Sequence, residues 1–93
     1  MIRSFTDKDA ERVFQGQFAR RLPHDIQRAG QRKLRQIHAA AELNDLAAPP
    51  GNRLEALSGQ RAGQHSIRIN DQWRICFVWT DGGAENVEIV DYH

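Results

Sequence analysis

Ninety-three residues suffice for one domain with a core that is stable alone, and they leave no room for a second module. A single cysteine, Cys76, excludes an internal disulfide and any multi-cysteine metal site, while no run of about 18 apolar residues could span a bilayer and MIRSFTDKDAE lacks the layout of a signal peptide, so a reducing cytoplasm is the expected setting. The net charge of +1 hides an asymmetry: residues 1–40 carry nine Lys or Arg against four acids, residues 80–93 carry four acids and no Lys or Arg, and eleven of the thirteen basic residues are arginine, whose planar fork of donors suits phosphate oxygens.

Ile2–Phe5 reads as a short first strand, after which Thr6 or Asp7 can cap a helix over about residues 8–19 with Val13, Phe14 and Phe18 on its apolar face. RLPHD breaks that pattern. Pro23 suits the first turn of a second helix, in which Leu22, Ile26, Ala29 or Gly30, Leu34, Ile37 and Ala41 recur at spacings of four and three as one buried stripe. Arg28, Arg32 and Arg35 keep the same spacing on the opposite face, where they form either a plain solvated surface or a polyanion-binding one. The prolines and glycine of ELNDLAAPPGN end the helical pattern in a ragged turn and loop. From there RLEAL, QHSIRI, WRICFVW and NVEIVDY read as strands, separated by the turn formers SGQRAG, NDQ and TDGGAE. The expected fold is α+β, one domain over residues 1–93, with two N-terminal helices on one face of a mainly antiparallel sheet of four to five strands.

The hairpin HSIRINDQWRICFVW specifies more than its strands. Ile67 and Ile69 share one face, and Trp73, Ile75, Phe77 and Trp79 share a face on the next strand. Both sets reach the core only if paired residue numbers have an even sum, which the loop Asn70, Asp71, Gln72 supplies. Ile67 then faces Ile75, Ser66 faces Cys76, and Arg68 faces Arg74 on the outer side, a like-charge pair that needs an offset. The same parity sends Val87 and Ile89 inward and puts Glu88, Val90 and Tyr92 on the arginine side, with Tyr92 near Arg74. No acidic residue is expected to pair the two arginines directly. Glu88 is a candidate, but it falls nearest Cys76, so a phosphate between Arg68 and Arg74 is the sharper reading.

IRINDQWRICF, the preceding PPGNRLEALSG and the terminal DYH together resemble the HigB branch of the RelE/ParE toxin superfamily, the toxin halves of bacterial type II toxin-antitoxin pairs. The resemblance covers essentially the whole chain, including MIRSF and the helix pair, and rests on the order and spacing of motifs rather than on any one of them. It implies a RelE-like fold and a metal-independent, cofactor-free, ribosome-dependent endoribonuclease. Such an enzyme cuts messenger RNA in the A site by attack of the ribose 2'-hydroxyl on the adjacent phosphodiester. That reaction needs a base for the hydroxyl proton, an acid for the 5'-oxygen and positive charge at the phosphate. By resemblance, Asp91, Tyr92 and His93 occupy the terminal catalytic run and Arg74 stabilises the phosphate, with Arg68 beside it. A histidine titrates near neutrality, which suits His93 to proton transfer as base or acid.

This chain departs from the pattern in LEALSG, where some relatives carry a catalytic histidine and a lysine and this one has Glu55 and Ser58. Glu55 is either a base or an exposed strand residue, and the departure suggests a slower nuclease with altered acid-base assignment. The resemblance also implies a HigA-like helix-turn-helix antitoxin, a toxin-antitoxin complex on operator DNA, the ribosome and messenger RNA as targets, and no membrane partner. Arg61 in SGQRAG and the row Arg28, Arg32, Arg35 would contact RNA, with strong salt dependence. His24, His38 and His65 do not fall at metal-ligand spacing, and no GK[ST] follows Gly59 and Gly63 to make a phosphate loop. Trp73 and Trp79 read as packing residues because they alternate with Ile75 and Phe77. Two other classes stay open: a ParE-like DNA gyrase inhibitor without chemistry, which the terminal DYH argues against, and a non-catalytic nucleic-acid-binding module.

Overall fold

The computed structural model describes residues 1–92 and orders them as two helices followed by four strands: α1 (Lys8–Phe14), α2 (His24–Ala39), β1 (Glu55–Ala56), β2 (His65–Arg68), β3 (Trp73–Thr80) and β4 (Gly83–Asp91). The strands form one antiparallel sheet in the order β1-β2-β3-β4, and both helices pack on the same face of it. The fold is therefore α+β, as the change of hydrophobic period along the chain predicts. No helix among the described residues is long and apolar enough to cross a membrane.

The expected first strand is reduced to two isolated parallel bridges beside β4, Ile2 to Ala84 and Phe5 to Val87. The first helix is also shorter than its apolar spacing suggests. The Asp7 carboxylate caps it by accepting from the Asp9 N–H at 2.9 Å. It stops at Phe14 because Gly16 turns left-handed at φ 81° and two reverse bonds close the end, Gly16 N–H to Val13 at 3.0 Å and Gln17 N–H to Arg12 at 2.8 Å. Phe18 consequently leaves the helix and is 58% exposed, so it is not a core residue, and Ala19 is buried in its vicinity of the chain instead.

In α2 the stripe Ile26, Gly30, Leu34 and Ile37 is buried, and Leu22, just ahead of the helix, is buried with it; Pro23 stands one position earlier than expected, as the N-cap. The helix ends when Ala40 becomes extended, so Ala40 rather than Ala41 continues the buried face. Gly30 faces Ile69 and Val13 in the core, where a Cβ would make ordinary contacts at 3.6 Å to Ile69 Cδ1 and 3.7 Å to Val13 Cγ1. The connection to the sheet contains two 3-10 turns, Leu43–Ala47 and Pro50–Asn52. Of RLEAL, the two residues Glu55 and Ala56 pair with β2, and SGQRAG contains a further 3-10 turn at Gly59–Arg61.

The hairpin register is the one the parity argument requires: Ser66 faces Cys76, Ile67 faces Ile75 and Arg68 faces Arg74. Ile67, Ile75, Phe77, Val87 and Ile89 join the helices in the core, with Trp73 and Trp79 half-buried against it. A bulge between Cys76 and Val78, close to the left-handed Asn86, shifts the β3-β4 register. Ala84 and Val87, three positions apart, are thereby both buried.

Candidate functional site

The sheet face away from the helices carries the chemistry. Two rows cross it: Glu55, Ser66, Cys76 and Glu88 lie on successive strands in one, and Arg68, Arg74 and Val90 in the next. The side chain of Arg74 is only 8% exposed and runs diagonally toward the first row. Its Nε donates to Ser66 Oγ at 2.8 Å, and its Nη2 donates to the Arg53 carbonyl at 2.7 Å. Glu55 Oε1 stands 4.0 Å from the same nitrogen, on a side chain that is 54% exposed. The guanidinium also lies over the Tyr92 ring, 5.8 Å from its centroid. Its Nη1 has no hydrogen-bond partner among the described residues.

These contacts correct the expectation that the two arginines stand without an acid. Arg68 turns away from Arg74 to pair with Asp71 in the hairpin loop, three positions along the chain. Arg74 is held by neutral acceptors, an aromatic face and the nearby Glu55 carboxylate. Protein groups therefore offset the like-charge register, and no phosphate is needed to explain how the pair is tolerated. Glu88 pairs with neither of them. It accepts from Arg61 Nη1 at 2.8 Å, while Arg61 also reaches Gln64 Oε1 at 3.0 Å. The hydrogen bond to Glu88 holds Arg61 more firmly in its charged form.

Beneath this face Cys76 is fully buried between Ser66 and Glu88. Burial pushes its thiol pKa up, the Glu88 charge adds to the rise, and Arg61 and Arg74 oppose it. The thiol stays protonated and unreactive, a filler under the site rather than a nucleophile.

An open cleft of about 440 Å³ lies beside Arg74's row, lined by Arg61, Val90, Asp91 and Tyr92. The hairpin loop positions its C-terminal wall. Asn70 Oδ1 accepts from the Gln72 and Trp73 N–H groups at 2.9 and 2.8 Å, which shapes the turn. Gln72 then donates through Nε2 to Asp91 Oδ2 at 3.0 Å, and its carbonyl accepts from the Tyr92 N–H at 2.6 Å. His93, expected as the proton-transfer group, lies outside the described residues.

Of the residues expected at the site, Arg74, Glu55 and Tyr92 come together, with Asp91 and Arg61 on the adjoining cleft. Arg68 is diverted to Asp71. Arg28, Arg32 and Arg35 are exposed on α2, in the layer on the other side of the sheet, with Arg35 also lying 5.8 Å over the Phe14 ring. Sequence reasoning missed Ser66 as Arg74's acceptor, Gln72 as the anchor of Asp91 and Tyr92, and the Arg53 carbonyl. The register already placed Ser66 on the arginine side, so that one was within reach. The carbonyl had no signal, because any residue type provides one. Among the described residues no three His, Cys, Asp or Glu side chains cluster as a metal centre would require.

Over residues 3–93 the chain matches the family described as the RelE-like toxin of type II toxin-antitoxin system HigB. It is 44% identical over 87 residues to Toxin HigB-1 of Vibrio cholerae, an alignment that covers 92% of each chain. It is 33% identical over 94 residues to Endoribonuclease HigB of Proteus vulgaris, with 100% of both chains covered.

Proposed function

Because the chain belongs to the HigB-like, RelE-like toxins of type II toxin-antitoxin systems, we propose that it is a metal-independent endoribonuclease that cuts messenger RNA in the ribosomal A site. The observation that carries this reading is Arg74. Its guanidinium is immobilised by Ser66 and the Arg53 carbonyl, and it keeps one nitrogen unbonded on a face shared with Glu55 and Tyr92. A rigid, water-shielded cation is what a phosphodiester needs as its charge grows in the transition state, since the stabilising dipole is then already in place. The name of the Proteus vulgaris relative, Endoribonuclease HigB, agrees with this chemistry.

In the proposed reaction the ribose 2'-hydroxyl attacks the adjacent phosphorus, its proton goes to a base, and the 5'-oxygen leaves with a proton from an acid. Arg74 Nη1 faces a non-bridging phosphate oxygen. Glu55 takes the hydroxyl proton and His93 protonates the leaving oxygen, while Tyr92 packs against the substrate and Asp91 holds the end of β4 against Gln72. The carboxylate of Glu55 stands 4.0 Å from Arg74 Nη2 and is accessible to substrate, as a base must be. Arg61, released from Glu88, and Arg68 reach the flanking phosphates.

A toxin of a type II pair has an antitoxin partner. We further assign that partner to the HigA-like helix-turn-helix class, acting with the toxin on operator DNA in the cytoplasm. The test is cleavage of a defined messenger RNA with and without programmed ribosomes, mapped by primer extension, for wild type, Arg74→Ala and Glu55→Gln. Cuts at A-site codons only with ribosomes, absent in Arg74→Ala and reduced about a hundredfold or more in Glu55→Gln, are the expected result. Inhibition of DNA supercoiling with no RNA cut would replace the reading with a gyrase poison. Cleavage unchanged by Glu55→Gln would return Glu55 to the role of a strand residue.

A further inference from the structure

The stretch PPGN ahead of Arg53 is tied into the core by a buried polar joint. Asn52 is 0% exposed. Its Oδ1 accepts from Lys33 Nζ, and its Nδ2 donates to Gln36 Oε1 at 3.0 Å and to the Leu46 carbonyl at 3.1 Å. Lys33 is itself 8% exposed on α2 and forms no salt bridge with a carboxylate among the described residues. An ammonium group buried against one neutral amide is a costly way to pack a helix on a turn, and an apolar pair would serve packing alone at least as well. What the polar joint adds is orientation, because three hydrogen bonds to one amide admit a single placement of the turn.

The next residue shows what that orientation does. Arg53 sits at φ 46°, ψ 58°, a left-handed conformation that non-glycine residues avoid. In that conformation its carbonyl accepts from Arg74 Nη2 at 2.7 Å. A covalent and hydrogen-bonded path therefore runs from α2 through Lys33, Asn52 and Arg53 to the guanidinium at the site. We propose that Lys33 and Asn52 are positioning residues for Arg74: their buried pairing locks the PPGN turn, and the turn aims the Arg53 carbonyl that holds the guanidinium in its working orientation. The functional half of this inference rests on the RNA-cleavage reading, whereas the placement of the guanidinium can be measured in the free protein.

The experiment uses Asn52→Ala, Lys33→Met and Arg53→Gly, each alone and combined with Arg74→Lys, and takes two readouts. The first is the side-chain Nη2–H signal of Arg74, the group that donates to the Arg53 carbonyl, in low-temperature 15N NMR of the free protein. It should shift and exchange faster with solvent in Asn52→Ala and Lys33→Met under conditions where thermal melting shows both folded. It should stay as in wild type in Arg53→Gly, which keeps the carbonyl and tolerates the left-handed backbone. The second is single-turnover cleavage on programmed ribosomes. Asn52→Ala and Lys33→Met should lower the maximal single-turnover rate roughly ten- to a hundredfold with little change in the ribosome concentration that gives half of it, as expected for a misplaced reactive group. In the Arg74→Lys background, where the fork is already gone, they should lower it less than about twofold further.

An unmoved Arg74 signal in the folded variants overturns the proposal, and so does a full additive loss in the Arg74→Lys background. Wild type that cuts no RNA defeats the cleavage reading, and the Arg74 signal alone then decides whether Lys33 and Asn52 place the guanidinium. Should Asn52→Ala fail to fold, Lys33→Met, which keeps the amide's bonds to Gln36 and Leu46, decides the same question.

Discussion

Arg74 on β3 and the row Arg28, Arg32 and Arg35 on α2 are the same side chain in two opposite circumstances. Arg74 is buried, and protein acceptors take its Nε and one of its terminal nitrogens. The α2 row stands in solvent, its members spaced by helical turns and held by no hydrogen bond to an acid among the described residues. One is a point of geometry and the other a diffuse field. A buried, orientated guanidinium can act on charge that develops at one atom, whereas exposed cations act over the range of the Debye length and lose strength with salt. The two regions should therefore fail in different ways.

The largest expected effect is from Arg74→Lys. It keeps the charge and removes the fork, so cleavage should fall by about a hundredfold or more while ribosome affinity hardly changes. Equal activity in the two proteins would mean that charge alone suffices and that the bonds to Ser66 and Arg53 are incidental. Replacing Arg28, Arg32 and Arg35 together by Gln should give the reverse signature. Affinity for ribosomes should weaken on the order of tenfold, and the slope of log affinity against log salt should flatten by about one for each phosphate that is no longer neutralised. The rate of the bound complex should be unaltered, as single-turnover measurements at saturating ribosomes would show.

A smaller effect concerns stability. Burial first, and then the charges of Arg32 and Arg68, lower the Lys33 pKa below its ordinary 10.5. Between that lowered value and 10.5 the unfolded chain binds more protons than the folded one, so this group makes stability rise with pH over that window. The difference in urea midpoint between wild type and Lys33→Met, followed upward from neutrality, should contain that rise. Cys76 acts in the opposite sense. Its pKa is raised above 9.0 mainly by burial, so the unfolded chain ionises first and stability falls as pH climbs past 9.0. The smallest effect is on chemistry: at neutral pH a thiol reagent should label Cys76 only as fast as the chain unfolds, and Cys76→Ala should leave cleavage within about twofold of wild type. Rapid labelling of the folded protein would show that the outer face is open down to its floor.

The gaps between sequence and structure have specific causes. Helix α1 ends at Phe14 because Gly16 can adopt a left-handed conformation that an apolar spacing through Phe18 does not register. The Ile2–Phe5 strand shrinks to two bridges, since strand propensity does not reveal how much of an edge is free to pair. Arg68 finds Asp71 because the loop folds back on its own strand, a pairing outside the strand parity from which the arginine pair was deduced. Glu88 finds Arg61 because a 3-10 turn brings SGQRAG over the sheet, and a turn's path is set by packing.

By itself the sequence determined the α+β class, the parity of the hairpin, the face on which Arg74, Glu88 and Tyr92 lie, and the exposed row on α2. All four follow from periodicity, because burying one face of a strand or helix leaves no freedom in where its other residues point. Only the tertiary structure decided which partners each arginine takes. Those depend on where Arg53's carbonyl, Ser66, Asp71 and Glu88 arrive after β1, the hairpin loop and the 3-10 turns have packed. Hydrogen bonds act over about 3 Å, so a partner is selected by placement in space, which residue spacing along a strand does not encode.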